Sequence, residues 1–444
     1  MKRNELNRTP KRQVSKDQML DAMRKFLPRK GLPLQVDDKR TRWTPRVLVT
    51  AAVLMSWKAT ASLQDAFAWA RECVVAMYAT RRRPGRSYQG FIGTLRRQSA
   101  KLLEPVVSAL RAATRKVAGA AWQTGRWVLI GVDGSRANCP RTEANEKAFG
   151  CAGRKKTGPQ LFLTVLYHVA TRLPWAWRRG GGKASEKGHL LEMIPLLPES
   201  TMLLADAGFP TFDVLVALQQ AGVAFVIRVG SNVHLLNKLY GKARTKADGI
   251  VWLWPRAKQN EAPLVLRLTV VRDSGKPVYL VTSVLDASTL PDAEVGRMYR
   301  LRWGVEVFYR SLKQTMSHGK LRSGQPDNAK VELDWGVVGL WVLGLATIEA
   351  MDTRRRSPGD WSVAGALRAV RTAVDRPYRP QSRDGLRKAL RQAVQDTYQR
   401  RSSKTARNWP HKKNDPPAGP PNLRMATKKE RQRAKAFAAP EATT

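Results

Sequence analysis

The chain has 444 residues, enough for one large domain with additions or for two to three domains. Its hydrophobic content of 43% supports a real core, while 79 Lys and Arg against 35 Asp and Glu leave a formal net charge of +44. A compact chain with that charge repels itself unless a polyanion neutralises it, so nucleic acid is the expected partner, bound largely through its phosphates. No basic amphipathic anchor stands out to favour an anionic membrane instead. The three cysteines, Cys73, Cys139 and Cys151, have no metal-binding spacing and read as reduced thiols, which excludes a disulfide scaffold. The N-terminal stretch MKRNELNRTPKRQ lacks the apolar core of a signal peptide. The longest apolar run, at about 337–348, is too short to span a bilayer and reads as a buried helix. The expected location is the cytoplasm, in association with the nucleoid.

In chain order, residues 1–14 read as a loose basic arm. Ser15 with Gln18 forms a capping-box pattern ahead of a short helix that stops at Pro28. Thr44-Pro45 and Ser62 with Asp65 start two further helices, Arg81–Arg86 makes a basic turn, and Ser87 caps a long helix. Residues 1–118 are therefore expected to form an all-helical DNA-binding domain. At about residue 119 the pattern becomes α/β. Apolar strands are expected at 127–132, 161–169, 175–178, 202–205 and 224–229, with helices near 187–197 and 211–221. Residues 231–285 break that rhythm with three further strands joined by polar turns, the mark of a β insertion. The α/β part resumes over 286–350 with the helix carrying Glu306 and a buried helix after it. Residues 351–400 read as helical. From Arg401 onward, eleven Lys and Arg against three acids, with six prolines, predict a disordered basic tail over 401–444.

The segment YRLRWGVEVFYRSLK, residues 299–313, reads as one helix. At about 100° per residue, Tyr299, Arg302, Glu306 and Lys313 fall within roughly 60° of one another, and Arg310 joins them. Leu301, Val305, Phe308 and Leu312 lie on the other sides, free to pack. Charges mixed in this way also suit a plain solvated helix face. What raises the chemical reading is the rest of the chain: Asp133 ends the first strand and Asp206 ends the fourth. In a sheet ordered 3-2-1-4-5 those strands are neighbours, and the Glu306 helix can pack across to meet both aspartates. Three carboxylates at one point repel unless cations neutralise them. Two divalent ions are the usual solution, and oxygen-only ligands with phosphate substrates suit Mg²⁺, with Mn²⁺ as substitute.

The order Asp133, Asp206, Glu306, the strings VDGS and LLADAGF, and the spacing of Tyr299, Arg302, Glu306 and Lys313 resemble DDE transposases of bacterial insertion sequences. Among these the chain is similar to the insertion-sequence-four family. The resemblance covers about 120–350. It implies a ribonuclease H-like catalytic core interrupted by a β insertion, and two metal ions held by Asp133, Asp206 and Glu306. It further implies double-stranded DNA as partner, at the element's terminal inverted repeats and at the target, with the protein acting as a homodimer or larger assembly. Tyr299, Arg302 and Lys313 would contact phosphates near the cut, with Arg310 beside them. Tyr279 stands where some members carry an aromatic platform for a flipped base; a strand-core role is the competing reading for it. Three other readings of the chain stay open: a decayed transposase that only binds DNA, a nuclease on the same fold, and a general basic nucleic-acid binder, with RNA among its partners.

Overall fold

The computed structural model describes residues 21, 23–28, 32, 42–58, 62–78, 83–151, 158–240, 249–273, 276–351, 355–375, 385–395 and 419–437. The Ser15–Gln18 pattern, Arg81-Arg82 and the early basic arm lie outside them.

The first five residues of β1 (Val128–Asn138) are all buried, a run that belongs in the middle of a sheet. β1 pairs antiparallel with β2 (Gln160–His168), which pairs antiparallel with β3 (Leu173–Gly181). On its other side β1 pairs parallel with β4 (Thr201–Ala205), and β4 parallel with β5 (Ala224–Arg228). The order β3-β2-β1-β4-β5 is the one that sets the first and fourth strands side by side. The crossovers into β4 and β5 carry Glu186–Met193 and Phe212–Gln220, as parallel strands require.

Residues 231–285 are β-rich as expected, but they are not a separate module. They supply β6 (His234–Asn237), β7 (Ile250–Leu253), β8 (Leu264–Asp273) and β9 (Lys276–Thr282). β9 pairs antiparallel with β5, Arg228 opposite Leu280, so the insertion extends the same sheet. The open edge of β5 carries unpaired backbone groups, and β9 satisfies them.

The tail expectation needs a correction. Residues 419–437 are built into the fold: β10 (Asn422–Met425) pairs parallel with β6 and becomes the tenth strand. The helix Lys428–Ala434 follows, opened by a capping box between Thr427 and Glu430. Glu430 also takes Arg424 at 2.6 and 2.9 Å, and Phe437 meets Trp254 edge to face. A free strand edge and a few apolar anchors outweigh the disordering composition around them. Residues 401–418 and 438–444 lie outside the description.

The N-terminal helices α1 (Pro45–Trp57), α2 (Leu63–Met77) and α3 (Tyr88–Ala118) start near the expected residues. Ser62 and Ser87 accept the expected N-terminal hydrogen bonds, whereas Thr44 makes no side-chain cap and leaves that start to Pro45. These helices share a core with the long helix Pro326–Ala350, whose most apolar 18-residue window is 94% buried. Three indoles tie them to it. Trp57 donates to the Gly339 carbonyl at 2.9 Å, Trp335 to Ser99 Oγ at 2.9 Å, and Trp341 to Thr114 Oγ1 at 2.8 Å. A methyl at Gly339 would overlap Ser56, so glycine is what lets α1 come this close. Each buried indole contributes about 2–3 kcal/mol through its area and about 1 kcal/mol through its bond. The same long helix meets β3 through Asp334, which is 2% exposed. Arg179 Nε lies 2.9 and 2.8 Å from its two oxygens, and Trp177 donates a further bond at 2.9 Å. Val363–Asp375 and Gly385–Arg391 cover the remaining side of the long helix.

Candidate active site

The two aspartates leave neighbouring strands at one level, since the register pairs Gly131 with Leu204, two residues before each. Asp133 lies within β1, opposite Val165, and its Oδ1 accepts from the Gly134 N–H at 2.8 Å. Asp206 directly follows β4, and its Oδ1 accepts from the Ala207 N–H at 2.9 Å. Each carboxylate is thus oriented by the next backbone amide.

The segment expected as one helix is broken. Asp292–Leu301 and Gly304–Arg310 are separate α-helices, and Ser311–Thr315 is a π turn. Three-residue hydrogen bonds tighten the chain at the break, from Trp303 N to the Arg300 carbonyl at 3.3 Å and from Glu306 N to the Trp303 carbonyl at 3.2 Å. Gly304 there lies against the ring of Tyr167 on β2, where a Cβ would stand 3.2 Å from Cε1. Close contact with the sheet is the physical cause of the break. Leu301, expected to pack, is 41% exposed as a result; Val305, Phe308 and Leu312 are buried as expected.

The polar residues of this segment converge despite the break. Tyr299 donates to Asp206 Oδ1 at 3.2 Å. Arg302 is 6% exposed, and its Nη2 lies 3.5 Å from Glu306 Oε1 and 4.0 Å from Asp206 Oδ2. Its Nε has no hydrogen-bond partner. Lys313 reaches β1, donating to Ser135 Oγ at 2.6 Å. Arg310 is exposed. Tyr279 is half-buried on β9 and packs toward the insertion-side core. Among the described residues, neither Arg310 nor Tyr279 is hydrogen-bonded to the three carboxylates. Trp252 in β7 and Trp254 just after it are buried in the insertion-side core.

Four participants were missed in the sequence. Tyr309 hydroxyl lies 2.8 Å from the Asp133 carbonyl and 3.0 Å from that of Leu163, fastening the Glu306 helix to β1. Arg228, at the end of β5, stands 3.8 Å from Asp206 Oδ1. Trp303 is 62% exposed between Arg302 and Glu306. Glu186 opens the helix after β3. Arg228 carries a readable signal, since it ends β5, the strand beside β4, whereas Glu186 reads as an ordinary helix start. Tyr309 and Trp303 depend on the helix break, which periodicity hides.

Burial pushes the Asp133 pKa up to about 6; the Gly134 amide and Arg302 oppose this, and Glu186 and Glu306 reinforce it. Burial likewise raises Glu186, with Asp206 adding repulsion. Tyr299 is pushed up to about 12 by burial and by Asp206. Burial opposes the charge of Arg302, but Tyr299, Asp206, Asp133 and Glu306 outweigh it and its pKa is raised. Burial lowers Lys313. The site is therefore a group of mutually repelling carboxylates with Arg302 standing among them. Among the described residues, no three carboxylates, as placed, are close enough to ligate one ion. The donor set is nevertheless oxygen-only, anionic and mutually coupled, and that chemistry fits hard divalent cations.

Residues 126–338 match the transposase DDE domain family, a segment spanning β1 to the middle of the long buried helix. The chain is 31% identical over 225 residues to the transposase InsG for insertion sequence element IS4 of Escherichia coli K12. That match covers 47% of this chain and 50% of InsG, so the chain spans about half the length of the curated relative it matches. A solved piggyBac transposase synaptic complex with hairpin DNA aligns over 90% of this chain and 84% of its own, at a TM-score of 0.38 and 10% identity. Over residues 126–338 the chain is thus similar to the transposase DDE domain, and in part of its length to a transposase of the IS4 element.

Proposed function

We propose that the protein is a DNA transposase that binds the ends of its own insertion sequence, cuts strands there and joins the freed 3′ ends to target DNA. The observation that carries this reading is the meeting of Asp133, Asp206 and Glu306 around the buried Arg302. The strand order β3-β2-β1-β4-β5, with β4 and β5 parallel to β1, supports a ribonuclease H-like core. Asp133, Asp206 and Glu306 would hold two Mg²⁺ ions, replaceable by Mn²⁺, which would neutralise the carboxylates and activate the attacking oxygen. Arg302, with Nε free of a partner, supplies a rigid positive fork for a phosphate. Lys313 adds a second cation above Ser135, and Tyr299 holds Asp206 in orientation.

Cleavage proceeds by water attack at phosphorus. A new P–O bond forms, the P–O3′ bond breaks, and the 3′ oxygen leaves as a hydroxyl with a proton taken from the water. In joining, that hydroxyl attacks a target phosphorus while the target's own P–O3′ bond breaks, so the number of phosphodiester bonds is conserved. The chain's contribution is positioning and charge. The excess of Lys and Arg, spread through the N-terminal helices as well as the core, supports double-stranded DNA as partner. Two element ends call for a homodimer or larger assembly, working in the cytoplasm on the nucleoid.

The test is incubation of the purified protein with DNA carrying its own gene and flanks, with Mg²⁺ or with EDTA, followed by mapping of strand breaks. Mg²⁺-dependent cuts at two inverted ends bracketing the gene are expected. Binding without cuts in either Mg²⁺ or Mn²⁺ would reduce the protein to a DNA binder, and scattered cuts would make it a nuclease.

A further inference from the structure

Glu306 is held differently from the two aspartates. Asp133 lies within a strand of the central sheet and Asp206 directly after one, each oriented by the next backbone amide. Glu306 stands on the seven-residue helix Gly304–Arg310, with the break before it and the π turn Ser311–Thr315 after it. Two turns between irregular ends are not stable alone, so the sheet must hold them. The Glu306 side chain makes no such tie: among the described residues its polar partner is Arg302, at 3.5 Å and one turn back. Val305, Phe308 and Leu312 bury apolar surface, with the Phe308 ring 5.8 Å from that of Tyr167. Apolar burial is non-directional and tolerates a slide or a small rotation.

Tyr309 supplies the direction that packing lacks. It follows Glu306 by three residues, a spacing that sets both side chains on neighbouring parts of one helix face. It is 6% exposed, and its hydroxyl lies 2.8 Å from the Asp133 carbonyl and 3.0 Å from the Leu163 carbonyl. The ladder sets Asp133 opposite Val165 and Ser135 opposite Leu163, so the two acceptors stand diagonally across the Gly134–Thr164 pair, one on each strand. Hydrogen bonds weaken steeply with distance and angle, so two acceptors on different strands fix one position for the hydroxyl. Burial, reinforced by Asp133 and Glu186, raises the phenol pKa well above its ordinary value, which keeps the proton in place to be donated. Lys313 makes a further bond to β1, at Ser135 Oγ, but the proposed reaction draws that ammonium to a phosphate. The Tyr309 hydroxyl is the tie that persists.

From this geometry we infer that Tyr309 is a positioning residue: its hydroxyl, anchored at the Asp133 carbonyl, sets where the Glu306 carboxylate stands relative to the two aspartates. The inference rests on the proposed function, because it concerns the carboxylates of that reaction. The full chain is compared with Tyr309→Phe, Glu306→Asp, the double variant, and Trp341→Phe, which loses a buried bond between the long helix and α3. Cleavage of element-end DNA is timed in saturating Mg²⁺. End affinity by gel shift, hydrogen exchange by mass spectrometry and thermal melts are all measured in EDTA. Tyr309→Phe is expected to slow cleavage about ten- to hundredfold, as small misplacements of reacting groups do. End affinity should stay within about twofold, since the lost bond serves the reaction and not binding. Exchange should quicken over residues 304–310 and not elsewhere. In Glu306→Asp, whose carboxylate is already displaced, adding Tyr309→Phe should cost less than about threefold, because the two changes act on one position. Trp341→Phe should melt lower than wild type and cleave normally. Normal cleavage by Tyr309→Phe, or unchanged exchange over 304–310, overturns the inference and leaves the proposed function standing. Full multiplication of the two losses in the double variant overturns it as well, since the hydroxyl would then act elsewhere than on Glu306. Equal slowing in Trp341→Phe would trace the effect to general stability, and a Tyr309→Phe chain that does not fold would make the hydroxyl a fold-forming group; either result counts against positioning. Wild type that makes no Mg²⁺-dependent cut would sink the inference and the proposed function together.

Discussion

Two arginines meet carboxylates in this molecule, and they do so differently. At the junction of β3 and the long buried helix, Arg179 closes on both oxygens of Asp334 at 2.9 and 2.8 Å, and an indole completes the set. At the strand ends, Arg302 is the more deeply placed, its side chain 7% exposed against 31% for Arg179, yet it stands 3.5 and 4.0 Å from its two carboxylates, with one nitrogen unused. The first arrangement is closed and holds elements together. The second leaves charge unsatisfied on both sides, anionic groups needing cations and a guanidinium needing an anion. Burial alone does not separate structure from function here; the completeness of pairing does.

The largest expected effect lies on the open side. If the proposed reading holds, Asp133→Asn, Asp206→Asn or Glu306→Gln should each reduce Mg²⁺-dependent cleavage by roughly a thousandfold or more, since each would remove part of the charge proposed to hold the metals. DNA-end binding should persist in a gel-shift assay, and in EDTA these variants should melt no lower than wild type. Near-normal cleavage in any one would remove that residue from the centre. On the closed side, Asp334→Asn should leave the partly exposed Arg179 without its counter-charge and destabilise the fold by about 1–3 kcal/mol in urea unfolding. A much smaller loss would mean that water reaches Arg179 and that the contrast between the two arginines is weaker than the distances imply.

A third prediction makes the same kind of orphan by pH. His168 is fully buried, its ring stacked on Trp122, with Nδ1 2.8 Å from Thr171 Oγ1 and Nε2 3.2 Å from the Trp122 carbonyl. This network assigns the neutral ring with its proton on Nε2. Burial lowers the pKa to about 4. Below the unfolded value of about 6.5 the unfolded chain binds the extra proton, so stability is full above that pH and falls as pH drops toward 4, by about 3 kcal/mol in all. Burial lowers His318 in the same direction. Urea unfolding at pH 7 and pH 5 measures the slope; a flat profile would show a pocket that already admits water. The smallest effect is expected at Lys313. Lys313→Ala should lower the salt dependence of DNA-end binding by about one unit of slope, and an unchanged slope would place Lys313 on protein alone.

The carboxylates were legible because Asp133 and Asp206 each close an apolar run, and runs of that kind become central strands. Their pairing followed from the strand order. Glu186 was not legible, because Ser-Glu after a glycine-rich strand end reads as an ordinary helix start. The break at Arg302–Trp303 was hidden by a sequence that keeps helical periodicity across it; contact between Gly304 and Tyr167 decides it. β10 was hidden because NLRM sits among prolines and cations, and its partner is an edge nearly two hundred residues earlier. Local composition cannot register a hydrogen-bonding edge that distant.

The burial of the apolar stretch of the helix Pro326–Ala350 bears on how the molecule is made. By length and composition it would satisfy a membrane-insertion machinery. Its cover comes largely from α1 and α3, which leave the ribosome some two hundred residues ahead of it. The apolar rod therefore emerges into a partner that already exists, and the order of segments along the chain guards its partitioning between water and lipid. A circular permutant that places α1–α3 after the rod would keep every contact of the folded state and lose that protection during synthesis.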